Sequence, residues 1–214
     1  MTIPIFPLQL IVFPGENLNL HIFEEKYREL FRDLKNQEVL FFGIPPVVDN
    51  KLHAFGTRLL LTDIVKTYPG GEMDVSSKGL DVFKLNKVTN DNSEKLYAFA
   101  DVEVLKDDQS YDFLKFEELK GLYLAFQELM VAQKEIIAID GNDYSFKIAH
   151  YIGLSEAQKL SLLEILNENT RQEFLIEHLK TIIPAMQNIK ETQSRITANG
   201  HFKNLQSFNF NKPE

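Results

Sequence analysis

Leu20-His21-Ile22-Phe23-Glu24-Glu25-Lys26-Tyr27-Arg28-Glu29-Leu30-Phe31-Arg32-Asp33-Leu34 contains a change of hydrophobic period. Leu18, Leu20 and Ile22 alternate with polar neighbours, the period of two that marks a strand with one wet face. Phe23, Tyr27, Leu30, Phe31 and Leu34 then fall on one stripe of a helix. A strand that feeds directly into an amphipathic helix lays that helix on a sheet. Phe23 is expected in the core beneath it, and Glu25, Lys26 and Glu29 are expected on its solvent face.

Outward from this junction, the first hundred residues read as mainly β. Leu8 to Phe13 is a buried-strand run stopped by Pro14-Gly15. Val39 to Ile44 is a strand closed by Pro45-Pro46, and Gly56 to Tyr68 is a longer one. Tyr68-Pro69-Gly70-Gly71 is a hairpin signal, with Pro69 at the first central position and Gly70 supplying the positive φ at the next. Met73 to Ser76, Val82 to Val88 and Leu96 to Leu105 follow at the spacing of an antiparallel barrel or sandwich. Lys87 to Lys95 reads as a polar, solvated loop.

After Asp107-Asp108 the period becomes helical, with Phe116, Leu119, Tyr123, Phe126 and Met130 stepping by three and four. Ser155-Glu156-Ala157-Gln158 and Thr170-Arg171-Gln172-Glu173 each match a capping box, in which the hydroxyl accepts a free backbone N–H and the N3 side chain reaches back. Pro184 is expected to stop or kink the second of these helices, because it has no N–H to give. The tail from Asn199 to Glu214 carries Phe202, Phe208 and Phe210 without a period and is expected to be extended. The fold class is α+β: a β-rich unit at 1–110, a helical unit at 111–198 and a tail at 199–214.

The 214 residues carry a net charge of −8 and contain no cysteine. Acidity disfavours nucleic-acid backbones, and the missing thiols exclude disulfides, cysteine nucleophiles and cysteine-bound zinc. The N-terminus has no signal-peptide pattern and no run approaches a membrane span, so a cytoplasmic location is expected. No phosphate-binding glycine loop, nucleophile elbow or H-E-x-x-H motif is present. The histidines are too far apart for a legible metal site. His21 with Glu24 and Glu25 is the nearest approach to an acid/base cluster, and helix-terminus electrostatics accounts for those carboxylates. Glu24 and Arg28 stand four apart, acid first, as a helix-surface pair. Asp140-Gly141-Asn142-Asp143 lacks the alternating ligands of a calcium loop. No catalytic residue, cofactor or metal is assigned, and binding is the remaining class.

Ile5-Phe6-Pro7-Leu8, Val12-Phe13-Pro14-Gly15, Leu20-His21-Ile22-Phe23-Glu24 and Tyr27-Arg28 together resemble the opening signature of the Lon protease N-terminal domain family. Phe42-Gly43, Gly56-Thr57 and Gly71 to Asp74, with Gly79 and Phe83, are similar to its barrel strands. Ile148-Ala149, Gln158-Lys159, Leu162 to Glu164 and Arg171 to Leu179 are similar to its helices. Glu25-Lys26 stands where many single-domain relatives carry Pro-Arg.

The resemblance implies a PUA-like antiparallel β-barrel with one early helix, followed by a C-terminal helical bundle. It also implies a free-standing, non-catalytic module that binds protein or unfolded polypeptide, possessing neither ATPase nor peptidase machinery. The candidate contacts are Glu25, Lys26 and Glu29 on the first helix and Tyr68 at the barrel mouth. Two other readings stay open: a PUA-like nucleic-acid binder, and a small-molecule binder using a pocket between barrel and helices.

Overall fold

A computed structural model describes residues 1–89, 94–130 and 144–206, the last nine as backbone only. Chain order runs β1 (Thr2–Pro4), β2 (Asn17–Ile22), α1 (Glu25–Lys35), β3 (Phe42–Ile44), β4 (Val47–Val48), β5 (Lys51–Leu52), β6 (Phe55–Thr67), β7 (Met73–Thr89), β8 (Phe99–Val104), α2 (Phe113–Leu129), α3 (Tyr144–Ile148), α4 (Glu156–Glu164) and α5 (Glu168–Gln206). This is a mixed fold of helices and antiparallel strands.

The main sheet has the order β1-β8-β7-β6-β3, with β2 also on β7. Its spine is β7, which pairs through Met73–Lys78 with β2 and through Phe83–Thr89 with β8. The sequence reading divided this strand in two at Ser77 to Asp81, but β7 runs through without a break. Gly79 makes the continuity possible, because a Cβ there would overlap the Phe13 carbonyl. The strand path is open, and its ends β1 and β3 meet at a parallel bridge between Ile5 and Gly43.

Leu8 to Phe13 is not a strand beyond the bridge of Leu8 to Pro46. Side chains take the place of a ladder partner: the Phe13 N–H donates to Glu16 Oε2 at 2.9 Å, and the Thr57 hydroxyl donates to the Val12 carbonyl. Extended backbone still sends alternate residues to opposite sides, so Ile11 and Phe13 join the helical core while Val12 joins the core under α1.

Phe23 is the clearest correction. It is 64% exposed and lies outside α1. The chain stays extended through Glu24, which occupies the N-cap position at φ −69 and ψ 134. Phe23 therefore keeps the strand's alternation and points opposite to the buried Ile22. The stripe that packs on the sheet is Tyr27, Leu30, Phe31 and Leu34.

The turn after β6 also differs in detail. Gly71, at φ +90, holds the left-handed position expected of Gly70, and its N–H donates to the Tyr68 carbonyl at 2.9 Å. This is a type I turn followed by a left-handed residue, a standard three-residue hairpin connection. Asp49 and Asn50, both with positive φ, make a second tight hairpin between β4 and β5 that the sequence reading missed. The expected solvated loop at Lys87 to Lys95 is in part β7, which extends to Thr89. Lys95 is itself anchored to Asp33 of α1 at 2.7 Å.

Among the helices, Ser155 and Gln158 form the expected capping box at α4. The second expected box does not form: α5 begins three residues earlier than a Thr170 cap would start it, and Asn167 Oδ1 accepts the Thr170 N–H and hydroxyl. Pro184 does not end α5, which continues to Gln206 and so includes part of the expected extended tail. The carbonyl that Pro184 leaves without an N–H partner is that of Lys180, an exposed residue, so water can satisfy it. Asp140 to Asp143 and Phe208 to Phe210 lie outside the described residues.

Candidate functional site

Strand pairing places His21 of β2 directly opposite Asp74 of β7. The His21 ring and Asp74 Oδ1 are 2.7 Å apart, and the Tyr68 hydroxyl donates to the other Asp74 oxygen at 2.8 Å. These bonds, His21 first and Tyr68 second, hold the Asp74 carboxyl below the usual carboxylate range. The His21 ring stands edge-on to Tyr68, with centroids 5.7 Å apart, and lies nearly parallel to Phe23 at 6.4 Å. Lys66 Nζ sits 4.3 Å from the centre of the Tyr68 ring. Phe23, His21 and Tyr68 thus make a row of rings at the base of α1, with exposed Val65 close by in sequence on β6.

The hairpin turn is fastened to α1. Arg28 Nη1 donates to the Gly70 carbonyl at 2.6 Å, so Arg28 does not bond the Glu24 side chain as its spacing had implied. Glu24 instead pairs with Lys26 at 3.0 Å, which raises the lysine's pKa. Lys26 also lies over the Tyr27 ring, 4.6 Å from its centre. Glu29 accepts the Leu96 N–H at 2.9 Å, and Glu25 is exposed.

Tyr68 thus meets His21 just before α1 and its turn is fastened to Arg28, whereas Glu29 turns to Leu96 and no hydrogen bond or ion pair joins Tyr68 to Glu25, Lys26 or Glu29 among the described residues. The structure adds Phe23 and His21, which sequence reasoning assigned to the core and to a cluster with Glu24 and Glu25. The His21–Asp74 partnership spans 53 residues and follows from the β2–β7 register. Its sequence signal was the alternation that ends at Ile22, and continuing that phase by one residue exposes Phe23.

Among the described residues, no group of three His, Cys, Asp or Glu side chains could hold a metal ion. No helix among them is long and apolar enough to cross a membrane. A separate groove of about 640 Å³ lies between Gln9 to Ile11, Pro46 to Asn50, His150 in the turn after α3, and Glu156 and Lys159 of α4. Neither Tyr68 nor the α1 candidates line it.

Solved structures share this fold. A Lon N-terminal domain protein from Xanthomonas campestris is 24% identical, with a TM-score of 0.62 over 83% of this chain and 98% of that one. The N-terminal domain of a Mycobacterium avium complex Lon protease is 19% identical, with a TM-score of 0.66 over 84% and 98%. A comparison with curated proteins finds no match. The sequence model described as the ATP-dependent protease La (LON) substrate-binding domain matches residues 2–181, so the chain belongs to that domain family.

Proposed function

We propose that the chain binds exposed polypeptide without catalysing a reaction on it, as a cytoplasmic adaptor or substrate-recognition factor in protein quality control. Membership of a substrate-binding domain family supports the binding class. The observation that carries the placement is Phe23, a large ring 64% exposed at the end of a row in which His21 lies between it and Tyr68, on backbone held by a strand and a helix. An aromatic anchor on a rigid support binds with little ordering cost. Glu25, Lys26 and Glu29 border this platform as polar contacts that set partner choice. In the same reading, 1–110 is a barrel-like unit whose open sheet ends approach at Ile5 and Gly43, and 111–198 is a helical bundle supporting it.

The test is fluorescence-anisotropy titration with a permanently unfolded model protein. Phe23→Ala with Tyr68→Ala weakens binding by about 2 kcal/mol or more, as expected of paired aromatic anchors. Unchanged affinity in a double variant of normal stability would overturn the placement.

A further inference from the structure

We infer that this surface selects polypeptide segments whose apolar anchor is flanked by lysine or arginine over equally apolar segments flanked by acids. The inference rests on the docking reading above and deepens it through the charges that surround the rings.

Glu24 and Lys26 cancel one another at 3.0 Å. Asp74 receives hydrogen bonds from His21 and Tyr68, which hold its carboxylate in the charged form. Glu29 accepts a neutral backbone N–H from Leu96. Glu25 and Glu72 have no ion-pair partner among the described residues. Against these carboxylates stand two cations. Lys66 is engaged over Tyr68, and Arg28 donates to the neutral Gly70 carbonyl. The immediate surroundings are acidic, and the net charge of −8 extends that field over the molecule.

Phe23 differs from its neighbours in one further respect. Tyr27 and Tyr68 each already have a lysine over the ring, whereas the exposed Phe23 has no such cation among the described residues. A guanidinium or ammonium from a bound segment can stack there while a neighbouring apolar side chain lies along the row of rings. Glutamate or aspartate on the segment would meet like charge at Glu25 and Glu29.

Two peptides of equal length with the same Phe-Leu centre, one flanked by lysines and one by glutamates, are titrated against the full chain at low and high salt. At low salt the lysine-flanked peptide binds roughly tenfold more tightly, and the difference contracts as salt screens it. Glu25→Lys narrows the difference while the melting temperature stays nearly constant. Equal affinities, or tighter binding of the glutamate-flanked peptide, with Phe23→Ala still weakening both, would overturn the charge selectivity and leave the docking surface standing. If Phe23→Ala alters neither affinity, the surface itself is misplaced and the selectivity falls with it.

Discussion

Phe23 lies one residue after β2 and one before the Glu24 cap of α1, and that position sets the side of the molecule it faces. Exposure at 64% predicts that Phe23→Ala lowers stability by less than about 1 kcal/mol. Phe31→Ala, at a ring with no exposed area, should cost about 3 to 5 kcal/mol through lost burial and a residual cavity. Urea titration of both variants checks the contrast, and equal losses would contradict it. Asp74 supplies a pH test of the same cluster. Its folded pKa is depressed, so its contribution is present above the ordinary carboxylate value and is lost as pH falls through the lower folded value. The Asp74 carboxyl carbon, followed by NMR, should titrate below the ordinary aspartate value, and a midpoint at or above that value would break the His21–Asp74–Tyr68 assignment.

At the scale of elements, the start of α5 ties the helices to the end of β8. Arg171 is fully buried, donates to both Asp107 oxygens at 2.7 and 2.9 Å, and pairs at 2.9 Å with Glu168, which is also fully buried. Glu168 in turn accepts the Ser145 N–H and hydroxyl from α3 and the Gln172 amide. Arg171→Ala strands a buried carboxylate and should cost about 3 to 5 kcal/mol. Replacing Arg171 and Glu168 together by methionine should cost far less, because the pair's desolvation is then removed with it. Chemical denaturation of the two variants decides between these outcomes, and equal losses would mean that the network acts through shape rather than charge.

The same elements show what local sequence could reveal. Helical faces were legible because burial follows the 3.6-residue period, as were the Ser155 box and the β6–β7 turn. The start of α5 was misread because Asn167, three residues before Thr170, offers its own side-chain oxygen to the Thr170 N–H and so takes the cap position. The continuity of β7 was hidden because Gly79 reads as a break, while its role is to admit the Phe13 carbonyl from a distant segment.

Across the whole molecule, α1 and the sheet share one core, while α2 to α5 close over another that includes Ile11, Phe13 and Val82. Both cores were visible as apolar stripes, but which residues remain outside them depends on strand register and on where each element ends. That is why the sequence offered Tyr68 and the α1 charges only as expected contacts, whereas the exposure of Phe23 and the His21–Asp74 pair, which depend on register, did not show in it. The central claim is that polypeptide docks on the Phe23–His21–Tyr68 row. Chemical-shift mapping on the ¹⁵N-labelled chain during titration with an unfolded model polypeptide tests it most directly. The account predicts perturbations concentrated at residues 21–29 and 65–74. Saturable binding that leaves those residues unshifted, with perturbations confined to the groove between Gln9 and His150, would contradict it.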